Sequence, residues 1–185
     1  MTDAAVPVAP HDVVAFWQAA GPDKWFVKDA EFDAAIRERF LRSYEAAAAG
    51  ELAAWEADAE GALALLILLD QFPRNMFRGS ARVYAADPLA RAVADRALAR
   101  GFDRAVAPDL RTFFYLPFEH SEAIADQERS VALYRALGDD DSLRWAEDHA
   151  DIIRRFGRFP HRNEVLGRRT TAEEQAFLDA GGFAG

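Results

Sequence analysis

Apolar positions recur at helical spacing along almost the whole chain. Phe32, Ile36, Phe40 and Tyr44 fall four residues apart, on one stripe of a helix predicted over about 31–49 with Gly50 as its stop. Ahead of it, Asp12 can cap a short helix through Val13, Val14, Phe16 and Trp17, closed by Gly21-Pro22. A short helical piece follows at 51–58. The segment 59–71 is apolar nearly all round, with Leu63, Leu65, Leu66, Ile67, Leu68 and Leu69. A helix without a polar face belongs at the centre of a core. Leucine and alanine outnumber β-branched residues there, which favours helix over strand. Pro73 is read as its end.

The second half continues in the same way. Asp87-Pro88 opens a helix that Gly101 stops, and Pro108-Asp109 opens another that breaks at Pro117. A helix is predicted over about 118–137, stopped by Gly138, and another after Asp139-Asp140-Asp141 to about 156, stopped by Gly157. Thr171 and Glu174 form a capping-box pair for a last short helix before a glycine-rich tail. Strand alternation and linkers are both missing from the pattern. The expected fold is all-α: one domain over 1–185, an array of antiparallel helix pairs with about 8–10 helices joined by short loops.

Composition narrows the function classes. The 185 residues are 51% apolar and 29% charged, as in an ordinary folded chain. The net charge of −9 argues against general nucleic-acid binding. With no cysteine there is no disulfide, thiol nucleophile or thiolate metal site. The most apolar run, 62–69, is far shorter than the ~20 residues a bilayer needs. Residues 1–10 carry no basic stretch of the kind a secretory signal has. These points lead us to expect a cytoplasmic protein with no membrane or nucleic-acid partner.

Candidate chemistry lies in the polar residues on apolar helices. His120, Ile124, Gln127, Val131 and Tyr134 share one predicted face, and Trp145, His149, Ile152 and Phe156 share the next. A hairpin turn near 138–140 brings His120 to the 158–163 loop, so His120, Glu122, His161 and the nearby arginines are expected to converge. No metal-binding spacing such as HExxH, and no glycine-rich phosphate loop, is present, so no metal and no cofactor is expected. Asp70 closes the most buried helix, where the macrodipole already places negative charge, and needs a cation. Arg74 stands four residues on. Residues 154–169 supply Arg154, Arg155, Arg158, Arg162, Arg168 and Arg169 against Glu164 alone, whereas 121–151 is strongly acidic. This charge pattern fits either an internal ion-pair network or an anion pocket, since arginine forks suit carboxylate and phosphate.

The runs LLDQFPRN (68–75), YLPFEHSE (115–122), DQE (126–128) and RFGRFPHRN (155–163) have a further meaning. Together with LGR (166–168), TTAEE (170–174), WF at 25–26 and FD at 32–33, they resemble a bacterial family catalogued as domain of unknown function 924. The resemblance covers about 13–178. It implies a tetratricopeptide-like helical fold and no activity. One departure is Gln18, where the family often has an aromatic residue.

Three functional readings remain open at this stage. The first is a binding module for a peptide, a protein or a small anionic ligand, built on Asp70, Arg74, His120, Glu122, Arg155, Arg158, His161 and Arg162. The second is a hydrolase-type enzyme in which His120 or His161 acts as base beside Asp70 or Glu122, with arginine stabilising the developing anion. The third is a purely structural polar network.

Overall fold

The computed structural model describes residues 8–184, and no strand occurs among them. The α-helices are α1 (Pro10–Ala20), α2 (Pro22–Trp25), α3 (Ala30–Ala48), α4 (Ala59–Leu66), α5 (Phe72–Met76), α6 (Asp87–Ala99), α7 (Thr112–Glu119), α8 (Ile124–Leu137), α9 (Asp140–Phe156) and α10 (Ala172–Asp179). Short 3₁₀ turns lie between several of them. The all-α class is therefore as the periodicity predicts, and it is compatible with the tetratricopeptide-like array implied by the resemblance. The reading of residues 1–10 falls largely outside the described residues.

The chain folds as two compact units, one of residues up to Arg78 with Arg82–Pro117, the other of Gly79–Ala81 with residues from Phe118 on. In the first unit, Asp29 opens α3 by accepting the N–H groups of Glu31 and Phe32 at 3.0 and 3.1 Å. The predicted stripe Phe32, Ile36, Phe40 and Tyr44 is buried. It joins an aromatic core in which the Trp17 ring lies 5.6 Å from Phe72 and 5.7 Å from Phe113. Trp25 is also buried and donates its indole N–H to the Trp17 carbonyl at 2.7 Å, while its neighbour Phe26 is exposed. Asp12 does not begin α1. Pro10 occupies the first helical turn, and Asp12 reaches back to accept the Ala9 N–H.

The central apolar helix does not end before Pro73. From α4 the chain passes through a π turn, Ile67–Gln71, directly into α5. The Phe72 N–H donates to the Ile67 carbonyl, five residues back. This wider turn accommodates a proline that has no N–H for the regular ladder. Counted as one, these pieces bring the total to nine helices among the described residues. The start of α4 lies against backbone: a Cβ on Gly61 would run into the Trp55 carbonyl group, with its carbon at 2.8 Å.

The second unit is built on the antiparallel pair α8–α9. Gly138 turns the chain at φ 78°, and Asp139 caps α9 by accepting from Asp141 and Ser142. Both features lie where the sequence put the hairpin. The break before α8 does not. Pro117 stays inside α7, and the interruption falls at 120–123. The Gln127 side-chain amide explains it, donating at 2.6 Å to the carbonyls of both Glu119 and Ser121. A fully buried side chain thus ends one helix while belonging to the next. His120 consequently lies outside α8, and the predicted single face from His120 to Tyr134 is interrupted. Gln127, Val131 and Tyr134 are buried, whereas Ile124 is exposed. One hydrophobic cluster of this unit is Ile152, Ile153 and Phe159, with Phe156, Phe177 and Phe183 packed against it.

Candidate functional site

Asp70 and Arg74 belong to the first unit. Asp70 is 1% exposed and accepts the Gln71 side-chain amide at 2.6 Å. Arg74 donates to the Asp70 carbonyl, lies 3.4 Å from its carboxylate, and forks onto Asp87 with two 3.2 Å bonds. Burial works against the Arg74 charge, but Asp70 and Asp87 more than offset it and hold the guanidinium more firmly protonated than usual. Asp87, read from sequence as a helix cap, is instead the first residue of α6, after the N-cap Ala86, and its carboxylate is turned to Arg74.

The other six expected residues lie in the second unit, where most of the arginines are engaged. Glu122 accepts the Phe159 N–H at 2.8 Å and both Arg168 terminal nitrogens at 2.7 and 2.9 Å. Burial would raise its pKa, yet these donors and their positive charge lower it. Arg158 forks onto Glu174 at 2.6 and 2.9 Å and also donates to the Arg169 carbonyl. Glu174 is buried and completes the predicted capping box by accepting the Thr171 N–H at 2.7 Å. Asn163 adds a fourth donor. Its carboxyl is held down to about 2, first by the Arg158 bond. Arg155 donates to Glu173 at 3.0 Å and lies over the rings of Phe156 and Phe177.

His161 and Arg162 flank Phe159. The buried Arg162 guanidinium stacks 4.5 Å from the Phe159 ring, and the His161 ring lies 5.7 Å from it. The buried His161 Nδ1 has no hydrogen-bond partner among the described residues. His149 completes the cluster. Its Nδ1 donates to the Trp145 carbonyl at 2.8 Å and stands 3.5 Å from Glu119. Burial pushes His149 down to about 4, and burial followed by the Arg162 charge pushes His161 down to about 3. His120, half-buried, acts electrostatically on both. The expected approach of His120 to the 158–163 loop is therefore met, although its helix is not the predicted one.

A groove of about 640 Å³ opens beside this cluster, between one face of α9 and the segment after α10. Trp145, Asp148, His149, Ile152, Arg155 and Phe156 supply its α9 side, and Phe177 and Phe183 the other. Trp145 is 58% exposed, although its spacing placed it on the buried stripe. It stands at the turn nearest the start of α9, where the stripe runs out of cover. Asp151 and Arg155 on the groove are paired with Arg154 and Glu173, whereas Asp148 has no partner among the described residues.

Of the eight expected residues, Arg155 alone lines the open groove, and His161 lies behind the Phe183 ring. Sequence reasoning missed Asp87 and Glu174 as ion-pair partners, and Trp145, Asp148 and Phe183 as groove residues. The capping-box spacing was the available signal for Glu174; nothing comparable pointed to Phe183. Among the described residues no group of three or more His, Cys, Asp or Glu side chains is arranged to hold a metal ion, and no helix is long and apolar enough to cross a membrane.

Comparison with known proteins yields a family and no activity. The model of a bacterial protein family of unknown function, DUF924, matches residues 13–182. A solved structure of a protein of unknown function, ATU0120 from Agrobacterium tumefaciens, is 56% identical, with a TM-score of 0.91 over 93% of this chain and 97% of that one. No curated protein matches.

Proposed function

The chain belongs to the DUF924 family of bacterial proteins of unknown function, and we propose that it is a binding module whose second unit takes a peptide into the α9 groove. The observation that carries this reading is the groove itself, an aromatic channel with Trp145 open to solvent and one unpaired charge, Asp148. Aromatic walls with a few placed polar groups are the usual makeup of a ligand site. An exposed tryptophan beside a free carboxylate suits an apolar peptide with a basic residue. A small anion is a poorer fit, because Arg158 and Arg168 already close on Glu174 and Glu122. Acid–base catalysis is poorer too. Glu122 is held as a carboxylate by Arg168, and His161 is too weak a base near neutral pH. The cytoplasmic placement is part of the same proposal and rests on the sequence reading alone.

The test is to pan a phage-displayed library of random peptides on the immobilised protein. Trp145→Ala and Asp148→Asn, both at exposed positions, serve as counter-selection. The reading expects an enriched family of basic, apolar peptides that either substitution releases. Enrichment indifferent to both substitutions, or none, would overturn it.

A further inference from the structure

We propose that the chain's own Phe183 occupies the specificity pocket of this groove, and that the pocket selects peptides anchored by an aromatic side chain. The inference rests on the peptide-binding reading and names what the peptide must carry.

The pocket is a cup of three rings. Phe159, fully buried, forms its floor, 5.5 Å from His149 and 5.7 Å from His161. Phe183 enters with its ring 4.4 Å from His149 at 61° and 5.1 Å from His161 at 81°. These are edge-to-face arrangements, which an aromatic ring satisfies and an aliphatic side chain does not. Burial keeps both imidazoles uncharged, so the cup presents ring faces and edges rather than cations.

The segment carrying Phe183 leaves α10 through a helix C-cap. It follows α10, turns at Gly181 with φ 81°, and is tied by the Gly181 and Gly182 N–H groups to the carbonyls of Leu178 and Phe177 at 3.0 and 2.9 Å. A Cβ at Gly182 would meet two atoms of the Phe177 ring at 2.5 Å and the Phe177 carbonyl oxygen at 2.6 Å. Glycine is required for the strap to lie this close. The incoming peptide places its own aromatic residue where Phe183 sits and its basic residue toward Asp148. A tethered occupant competes at an effective concentration in roughly the millimolar range, so it weakens, without abolishing, binding from solution.

The probe is the peptide acetyl-Arg-Gly-Gly-Phe-Ala-amide, which repeats the strap behind a basic residue. It is titrated by calorimetry into the wild type, Phe183→Ala and Gly182→Ala. The second variant retains the ring but dislodges the strap, and thermal melts check that each is folded. Both variants are expected to bind the probe about tenfold more tightly than the wild type, the factor set by a tethered competitor at about 1 mM effective concentration with an intrinsic Kd of about 0.1 mM. The same peptide with alanine for phenylalanine should not bind. Equal affinity for wild type and both variants would overturn the role of Phe183. Failure of the probe on the variants, with panned peptides still binding, would overturn the aromatic selectivity and leave the groove reading standing. Failure of every peptide would overturn both.

Discussion

Lowering the pH from 7 to 5 should destabilise the second unit, and the structure sets the size of the effect. His149 and His161 are kept neutral by burial, at about 4 and about 3, and His161 also by Arg162. In the unfolded chain a histidine titrates near 6.5, so between 6.5 and 4 the unfolded state binds protons that the folded state refuses. Stability therefore rises with pH across this window: it is complete above 6.5 and is lost as the pH falls. One pKa unit is worth about 1.4 kcal/mol, so at pH 5 each histidine has lost ~2 kcal/mol and the pair ~4 kcal/mol. The loss levels off below about 4 for His149 and about 3 for His161. The depressed carboxyls of Glu122 and Glu174 act in a lower window, since their stabilisation is intact above 4.5 and fades only beneath it. The assay is urea unfolding of the wild type, His149→Gln and His161→Gln at pH 7, 6 and 5. Each variant should lose about half of the wild-type slope. A midpoint that does not move with pH, or variants that keep the full slope, would refute the argument.

Three further substitutions test individual contacts. Glu122→Gln removes the charge that Arg168 and the Phe159 N–H share, and should cost about 2 kcal/mol in chemical unfolding; a change within measurement error would mean the pair contributes nothing. Asp70→Ala strips Arg74 of a buried counter-charge and should cost on the order of 3–5 kcal/mol. A loss under about 0.5 kcal/mol would remove Asp70 from the first unit's ion-pair network. Gly61→Ala forces a methyl group into the Trp55 backbone and should lower the melting stability by about 2 kcal/mol or more; a neutral result would show that the two segments part easily.

Sequence reading succeeded where one residue's own chemistry decides the structure. The stripe on α3, the Gly138 turn and the Thr171–Glu174 box are all local, and all lie at their expected positions. It failed where a distant group intervenes. Pro73 looked like a stop because the π turn ahead of it has no sequence signature, and the 118–137 helix looked continuous because Gln127 was seen as a face residue rather than a cap. The charge asymmetry of 154–169 correctly suggested internal pairing. Its partners were foreseen in part: Arg154 and Arg168 pair with Asp151 and Glu122 of the acidic stretch, whereas Arg155 and Arg158 turn to Glu173 and Glu174. The groove was illegible for a related reason. Helical spacing reports which side of α9 is apolar, but not that its cover stops short of Trp145 or that Phe183 returns to fill the cup.

The central claim is that the α9 groove is where this protein binds. Its most direct test is an amide-resolved NMR titration of the uniformly labelled protein with the best panned peptide. The account predicts shifts concentrated at the Trp145 indole N–H and at Ile152, Phe156, Phe177 and Phe183. Shifts confined instead to a second groove, in the first unit and lined by Asp33, Arg37 and Arg78, would contradict it.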